Sequence, residues 1–164
     1  MKKDLALFGG KKVINKKFKR FNTIDTKEID AVTKILKSGI LSDYIASPGK
    51  NFKGGKKVQE FEKKCQNYFK VKHAITVNSW TSGLIAAVGA LDIEPGDEII
   101  VSPWTMCASA ISILHWNAIP VFVDIDENTF CMDPEKIVAK ITNRTKAILV
   151  VDIFGQSADM DPIL

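Results

Sequence analysis

Long apolar runs are missing from this sequence: none approaches the roughly 20 residues that a membrane-crossing helix needs. Cysteine is scarce, and Cys65, Cys107 and Cys131 stand in unrelated contexts without a CxxC or a metal-ligand spacing. That excludes a disulfide framework and a zinc module, and it fits free thiols in a reducing cytoplasm. Arginine is nearly absent, with Arg20 and Arg144 the two examples. Without arginine or interleaved aromatics, the basic residues read as a solvated lysine-rich surface rather than a nucleic-acid platform. Histidine occurs twice, His73 at the start of an apolar run and His115 at the end of a helical one. No Ser/His/Asp set can be assembled from them. The G-x-G-x-x-G fingerprint is also missing, which argues against a Rossmann-type dinucleotide binder. A secretory leader is not expected, because Asp4 and Gly9-Gly10 interrupt the stretch that would be its apolar core.

What remains is ordinary for a soluble globular chain: 164 residues, 46% hydrophobic and 26% charged. The length predicts one domain, or a piece of one. The net charge of +4 conceals an asymmetry. Residues 1–72 hold 19 Lys and Arg against 7 Asp and Glu, whereas residues 73–164 hold 4 against 12.

Residues 1–24 show no period and read as an extended N-terminal arm, leaving 25–164 as the body. Thr26 is placed to cap a helix whose apolar face is Ile29, Val32, Ile35 and Leu36, with Gly39 at its end. Residues 40–55, with Pro48 and three glycines, form a long loop of the kind that has a job or moves. A second helix at about 56–69 sets Val58, Phe61, Cys65 and Tyr68 or Phe69 in one stripe, which reads as core.

The organising stretch runs from His73 to Ser109. HAITV (73–77) predicts a buried strand, and Thr81-Ser82-Gly83 open a helix over Leu84 to Leu91. A charged turn, Glu94 to Glu98, leads into the strand IIVS (99–102) and a second helix over 105–115. Small hydroxyl residues at a strand-to-helix junction aim backbone N–H groups at one spot, where the helix dipole favours an anion. The turn alone reads first as an ordinary Ser/Thr cap. Further strands are predicted at 119–124 and 146–152, with a short helix opened by Asp133-Pro134 between them. Strands that are continuous apolar runs and alternate with helices point to a parallel sheet covered on both faces. Asn78, Ser102, Asp124 and Asp152 would then end strands at one edge, the expected place for a ligand.

The order of these pieces resembles the PLP-dependent sugar aminotransferases of the DegT/DnrJ/StrS family, over about Gly39 to Leu164. NSWTSGL resembles that family's phosphate cup, and PGDEIIVSPWTMCAS resembles the strand and loop carrying the group that stacks on the cofactor ring. PVFVDID, ITNRTKAILVVDIFGQ and ADMDPI follow in the family's order.

The resemblance implies a fold: the three-layer αβα large domain of the aspartate-aminotransferase-like transferases, fold type I, with a mostly parallel sheet. It also implies pyridoxal 5'-phosphate (PLP) as cofactor. Trp80, Thr81 and Ser82 would bind the phosphate, chiefly through backbone N–H groups. Trp80 departs from the small residue usual there. Met106, at a position often aromatic in the family, would pack on the ring, as a thioether can. Asp152 stands where the family often has His, and Gln156 matches the Gln of the following loop.

The implied reaction moves an amino group, typically from glutamate, to a keto sugar attached to a nucleotide, in a homodimer without nucleic-acid or membrane partners. A sugar dehydratase of the same family, and a non-catalytic fragment or one half of a split protein, are the alternatives. The family's Schiff-base lysine has no counterpart up to Leu164 and is expected beyond it, as is the carboxylate that pairs with the pyridine nitrogen. ADMDPIL reads as a helix just beginning, so an incomplete domain is expected. The 164-residue chain by itself is expected not to transaminate.

Overall fold

The computed structural model describes residues 5–45, 47–49 and 51–164. The first four residues of the expected arm, Asp4 among them, and positions 46 and 50 of the 40–55 loop lie outside the described residues. The chain forms two compact units that divide between Lys72 and His73.

In the first unit, a short 3-10 turn, Ala6–Phe8, precedes the exposed residues 11–25, which join no helix or strand. Helix α1 is Thr26–Ser38. Its cap is Asp25, one residue before the expected Thr26. The Asp25 side chain accepts from the Lys27 amide at 2.8 Å, and the Glu28 carboxylate accepts from the Asp25 amide at 2.9 Å. This reciprocal pair satisfies two N-terminal donors, which a threonine one position later would not do. Gly39 ends the helix at φ 70, as expected.

Helix α2 is Lys56–Phe69, matching the predicted span. Its stripe is not core within this unit: Val58 and Cys65 are half-buried, whereas Phe61, Tyr68 and Phe69 are exposed. The face of α1 likewise leaves Ile29, Val32 and Leu36 exposed. Periodicity predicts which face is apolar, but burial also needs a layer opposite that face. The 40–55 loop is closed by the Asn51 amide on Asp43 at 2.7 Å and by the Tyr44 ring, which covers the buried Gly54. Gly54 sits at φ +82, and a Cβ there would lie 2.6 Å from that ring.

The second unit holds the sheet. Helix α3 is Trp80–Gly89, strand β1 Glu98–Val101, helix α4 Ala108–Leu114, strand β2 Ile119–Phe122 and strand β3 Thr145–Leu149. The three strands are parallel in the order β2-β1-β3, with Val101 opposite both Phe122 and Leu149. The central strand is buried at all four positions, the pattern of a parallel strand with both faces covered.

One face packs Ile99, Val101, Ala147 and Leu149 against Val88 of α3 and Ile113 of α4. The other packs Ile100, Val121 and Ile148 against Val123, Met132, Ile137 and Ile163. The connection from β1 to β2 steps to one side, and the connection from β2 to β3 steps back across β1. For both to be right-handed they must lie on opposite faces, and the two apolar clusters place them so. Pro134–Lys136, with Asp133 as its cap, and Val138–Lys140 are 3-10 turns that cover the second face.

Two expected elements differ. HAITV joins no strand among the described residues, and Ile75 is 84% exposed. A β-branched run is strand-competent, yet the sheet ends at β2 and β3 and no ladder reaches it. The second predicted helix starts at Ala108 rather than 105, because Pro103 to Cys107 form an irregular loop.

Candidate functional site

The carboxyl edge of the sheet collects the residues singled out in the sequence. Ser102 follows β1 directly, Asp124 lies two residues past β2, and Asp152 lies three past β3. Ser102 is buried, and its hydroxyl accepts from the Trp104 amide at 3.1 Å, which turns the chain into the loop carrying Met106. The Thr105 and Ser109 hydroxyls meet at 2.8 Å and tie that loop to α4. Met106 is 72% exposed in this loop, so it is neither helical nor turned into the core.

Helix α3 points its N-terminus to the same edge. Helix α4 descends from the end of β1 to the start of β2, so its C-terminus lies at the amino edge. Trp116, just past that C-terminus, donates its indole N–H to the Ile85 carbonyl at 2.8 Å and lays its ring on Gly89. The C-terminal half of α3 therefore sits at the amino edge, and Trp80 to Ser82 lie toward the carboxyl edge.

At the start of α3, Ser79 is the cap, accepting from the Ser82 amide at 3.2 Å, while the two serine hydroxyls lie 3.1 Å apart. The Gly83 amide returns to the Ser79 carbonyl. The Ser82 amide is thus consumed locally. The amides of Trp80 and Thr81, the first two of the helix, carry no acceptor among the described residues. Thr81 and Ser82 are half-buried, and the Trp80 side chain lies out at 72% exposure, with its ring against Gly83. Ser79 is not among the site residues expected from the sequence. The Ser-x-x-Ser spacing of 79 and 82 is the signal that identifies it as a cap.

Asp152 and Gln156 share one loop. The Ala158 amide donates to Asp152 Oδ1 at 2.9 Å, and Oδ2 has no partner among the described residues. The Gln156 amide donates to the Ile153 carbonyl at 2.9 Å across a 3-10 turn, Ile153–Gly155, in which Phe154 takes φ 53. Gln156 also lines a 660 Å³ cleft with Thr129, Cys131, Met132, Asp159 and Pro162. Trp80, Thr81, Ser82, Met106 and Asp152 do not line that cleft. All six residues are therefore carried by segments at one sheet edge, while this cleft takes in Gln156 from among them.

Carboxylates rim that edge. Lys136 approaches Asp133 at 3.2 Å and Asp124 at 3.7 Å, and chiefly the Asp133 bond raises its pKa above the ordinary lysine value. Asp126 accepts from the Asn128 and Thr129 amides at 3.0 and 2.8 Å, and the Thr129 amide above all lowers its pKa. Among the described residues no group of His, Cys, Asp and Glu could hold a metal ion, and no helix is long and apolar enough to cross a membrane.

Comparison with known proteins gives this arrangement a family. The model of the DegT/DnrJ/EryC1/StrS aminotransferase family matches residues 22–164. The chain is 48% identical over 141 residues to the spore coat polysaccharide biosynthesis protein SpsC of Bacillus subtilis (strain 168), covering 86% of this chain and 33% of that protein. It is 50% identical over 110 residues to the GDP-perosamine synthase of Caulobacter vibrioides, covering 67% and 30%. The putative sugar aminotransferase Spr1654 from Streptococcus pneumoniae, in its PMP form, superposes with a TM-score of 0.75 at 34% identity, over 85% of this chain and 33% of that one. The chain thus spans about a third of the length of these relatives. With its parallel α/β sheet and this match across most of its length, the chain belongs to the DegT/DnrJ/EryC1/StrS aminotransferase family.

Proposed function

We propose that this chain supplies the phosphate-holding part of a PLP-dependent aminotransferase acting on a nucleotide-linked keto sugar, with glutamate as amino donor. The observation that carries the reading is the start of α3. Two consecutive amides without acceptors among the described residues and the Thr81 hydroxyl lie together at a helix N-terminus, at the carboxyl edge of a parallel sheet. That donor set fits a phosphate monoester, which brings several acceptor oxygens and negative charge and no donors of its own at neutral pH. The 50% identity to GDP-perosamine synthase supports a nucleotide-linked acceptor.

Each residue then has a task. Trp80 and Thr81 bind phosphate oxygens through their amides, and Thr81 adds its hydroxyl. Ser79 orients this turn by taking the Ser82 amide, which leaves the Ser82 hydroxyl to share between Ser79 and the anion. Met106, exposed on its loop, offers a thioether to the face of an aromatic ring. Asp152 keeps Oδ2 available as an acceptor while Oδ1 is occupied by Ala158. Gln156 contributes an amide that both donates and accepts toward polar substrate groups. The cofactor, when bound, supplies the electron sink for proton removal at the carbon bearing the amino group.

Pyridoxamine 5'-phosphate is the suitable binding probe, since it forms no imine with surface lysines. The chain is expected to bind it more tightly than it binds pyridoxamine, and Thr81→Ala is expected to weaken binding about tenfold by removing a hydrogen bond to a charged group. Equal affinity for the two compounds, or no effect of Thr81→Ala, would leave the start of α3 an ordinary helix cap.

A further inference from the structure

Cys131 is buried, 2% exposed, in the wall of the cleft that it lines with Thr129, Met132 and Gln156. It is held in place from both sides. Its amide donates to the Thr129 hydroxyl at 3.4 Å, and its carbonyl accepts from the Asp126 amide at 2.9 Å. Its thiol reaches away from that turn, across 25 residues of sequence, to the Gln156 carbonyl at 3.3 Å. An S–H···O bond is weak, yet here it supplies a donor to a carbonyl at the bend that carries two of the proposed site residues.

The bend itself is not relaxed. Phe154 takes φ 53 with its ring 85% exposed, and Gly155 takes φ 82. A bulky residue in the left-handed region costs free energy unless its surroundings determine it, and an exposed ring supplies no packing to do so. The Gln156 amide closes the turn on the Ile153 carbonyl from within, and side chains hold the two ends of the bend. At one end the Ala158 amide holds the Asp152 carboxylate at 2.9 Å; at the other the Cys131 thiol holds the Gln156 carbonyl.

We propose that Cys131 is a positioning residue for the proposed cofactor site: its thiol, bonded to the Gln156 carbonyl, fixes the 152–158 bend and through it the Asp152 carboxylate and the Gln156 side chain. The proposal rests on the reading of Asp152 and Gln156 as site residues. Cys131 itself lies beneath the bend and acts through it. A buried thiol suits the task because it is small and still donates one hydrogen bond.

The test uses the whole chain with Cys131→Ala and Cys131→Ser, read by amide hydrogen exchange and by pyridoxamine 5'-phosphate binding. Cys131→Ala is expected to speed exchange at the Gln156 and Ala158 amides by about three- to tenfold relative to Ile100 and Val101 of β1, and to weaken binding by a similar factor, the loss of one modest hydrogen bond. Cys131→Ser, which keeps a donor, is expected to restore both. Exchange that rises equally in the bend and in β1 would mean general destabilisation and would overturn the proposal. So would a loosened bend with unchanged binding, or a serine variant that behaves as alanine does. Thr81→Ala separates the two levels. If it leaves binding intact while Cys131→Ala weakens it, the phosphate reading of α3 fails and the clamp stands.

Discussion

Glu98 is a charged side chain that the sheet buries, and its partners explain why. The side chain is 5% exposed; its Oε2 accepts from the Thr142 hydroxyl at 2.6 Å and its Oε1 from the Arg144 guanidinium. The main-chain amide of Glu98 meanwhile donates to the Arg144 carbonyl at 2.8 Å. One residue thereby fastens the entry to β3 onto the start of β1, where Lys146 is skipped between the pairs Glu98–Thr145 and Ile99–Ala147. The Thr142 hydrogen bond first, and the Arg144 one with it, hold the Glu98 carboxyl below its ordinary value of 4.5 against the opposing effect of burial. A folded-state pKa below the unfolded one makes stability depend on pH in one direction. The contribution is complete above about the ordinary value and is withdrawn as the pH falls through the depressed one. Glu98→Gln is therefore expected to lower the urea midpoint near neutral pH. It should also flatten the loss of stability below the ordinary carboxylate range, since that loss depends partly on protonating this group. Urea titrations of both proteins at neutral and acidic pH check it: parallel losses in the two would show that Glu98 adds nothing through its charge. Because Glu98 opens β1 at the amino edge, pyridoxamine 5'-phosphate binding is expected to be unchanged.

At the scale of elements, α3 shows how close packing and a helix-breaking residue can be reconciled. Gly89 ends the helix beneath the Trp116 indole, and a Cβ there would fall 2.1 Å from the ring. Alanine favours an isolated helix over glycine by about 1 kcal/mol, so a gain would be expected from propensity alone. The ring cannot stay where it is, however, and its displacement breaks the Trp116 bond to the Ile85 carbonyl. Gly89→Ala is expected to destabilise the chain by about 1–3 kcal/mol, the usual cost of overpacking. Chemical denaturation followed by Trp fluorescence measures it, and a stabilised variant would refute the close approach. Neither Gly89 nor Trp116 announces this contact in the sequence, because it joins positions 27 apart. What was legible was local: β2 lies inside the apolar run 119–124, β1 and β3 overlap the runs 99–102 and 146–152 but begin one residue earlier, and α2 matches its span. The edge positions of Ser102, Asp124 and Asp152 followed from alternation of strands with helices. Less legible was whatever depends on a partner distant in sequence. HAITV has the composition of a strand but lies in no ladder, and the apolar face of α1 is correct in period and exposed in fact. At the site, the α3 start was visible as a motif, whereas the local use of the Ser82 amide and the Cys131 bond to Gln156 were not.

Across the whole molecule, burial is divided unevenly. All thirteen buried hydrophobic residues among those described, from Val88 to Ala158, lie in the second unit. In the first, among the described residues, Gly54 alone is buried. Apolar burial is the main term opposing chain entropy, and helices of 13 and 14 residues are marginal without it. The first unit is therefore expected to unfold at lower urea than the second. The sequence places reporters conveniently for this, since Trp80, Trp104 and Trp116 are all in the second unit while α1 and α2 are the two longest helices. Helical circular dichroism should begin to fall before Trp fluorescence changes, and non-coincident transitions would show that one two-state step does not describe the chain. Limited digestion with trypsin tests the same division. Lys70 and Lys72 sit in an exposed segment without regular structure just before the division, and the second unit offers trypsin only Lys136, Lys140, Arg144 and Lys146. A fragment beginning at Val71 or His73 should accumulate while the lysine-rich first unit is lost. Coincident transitions together with no such fragment would mean that the two units gain and lose their structure as one.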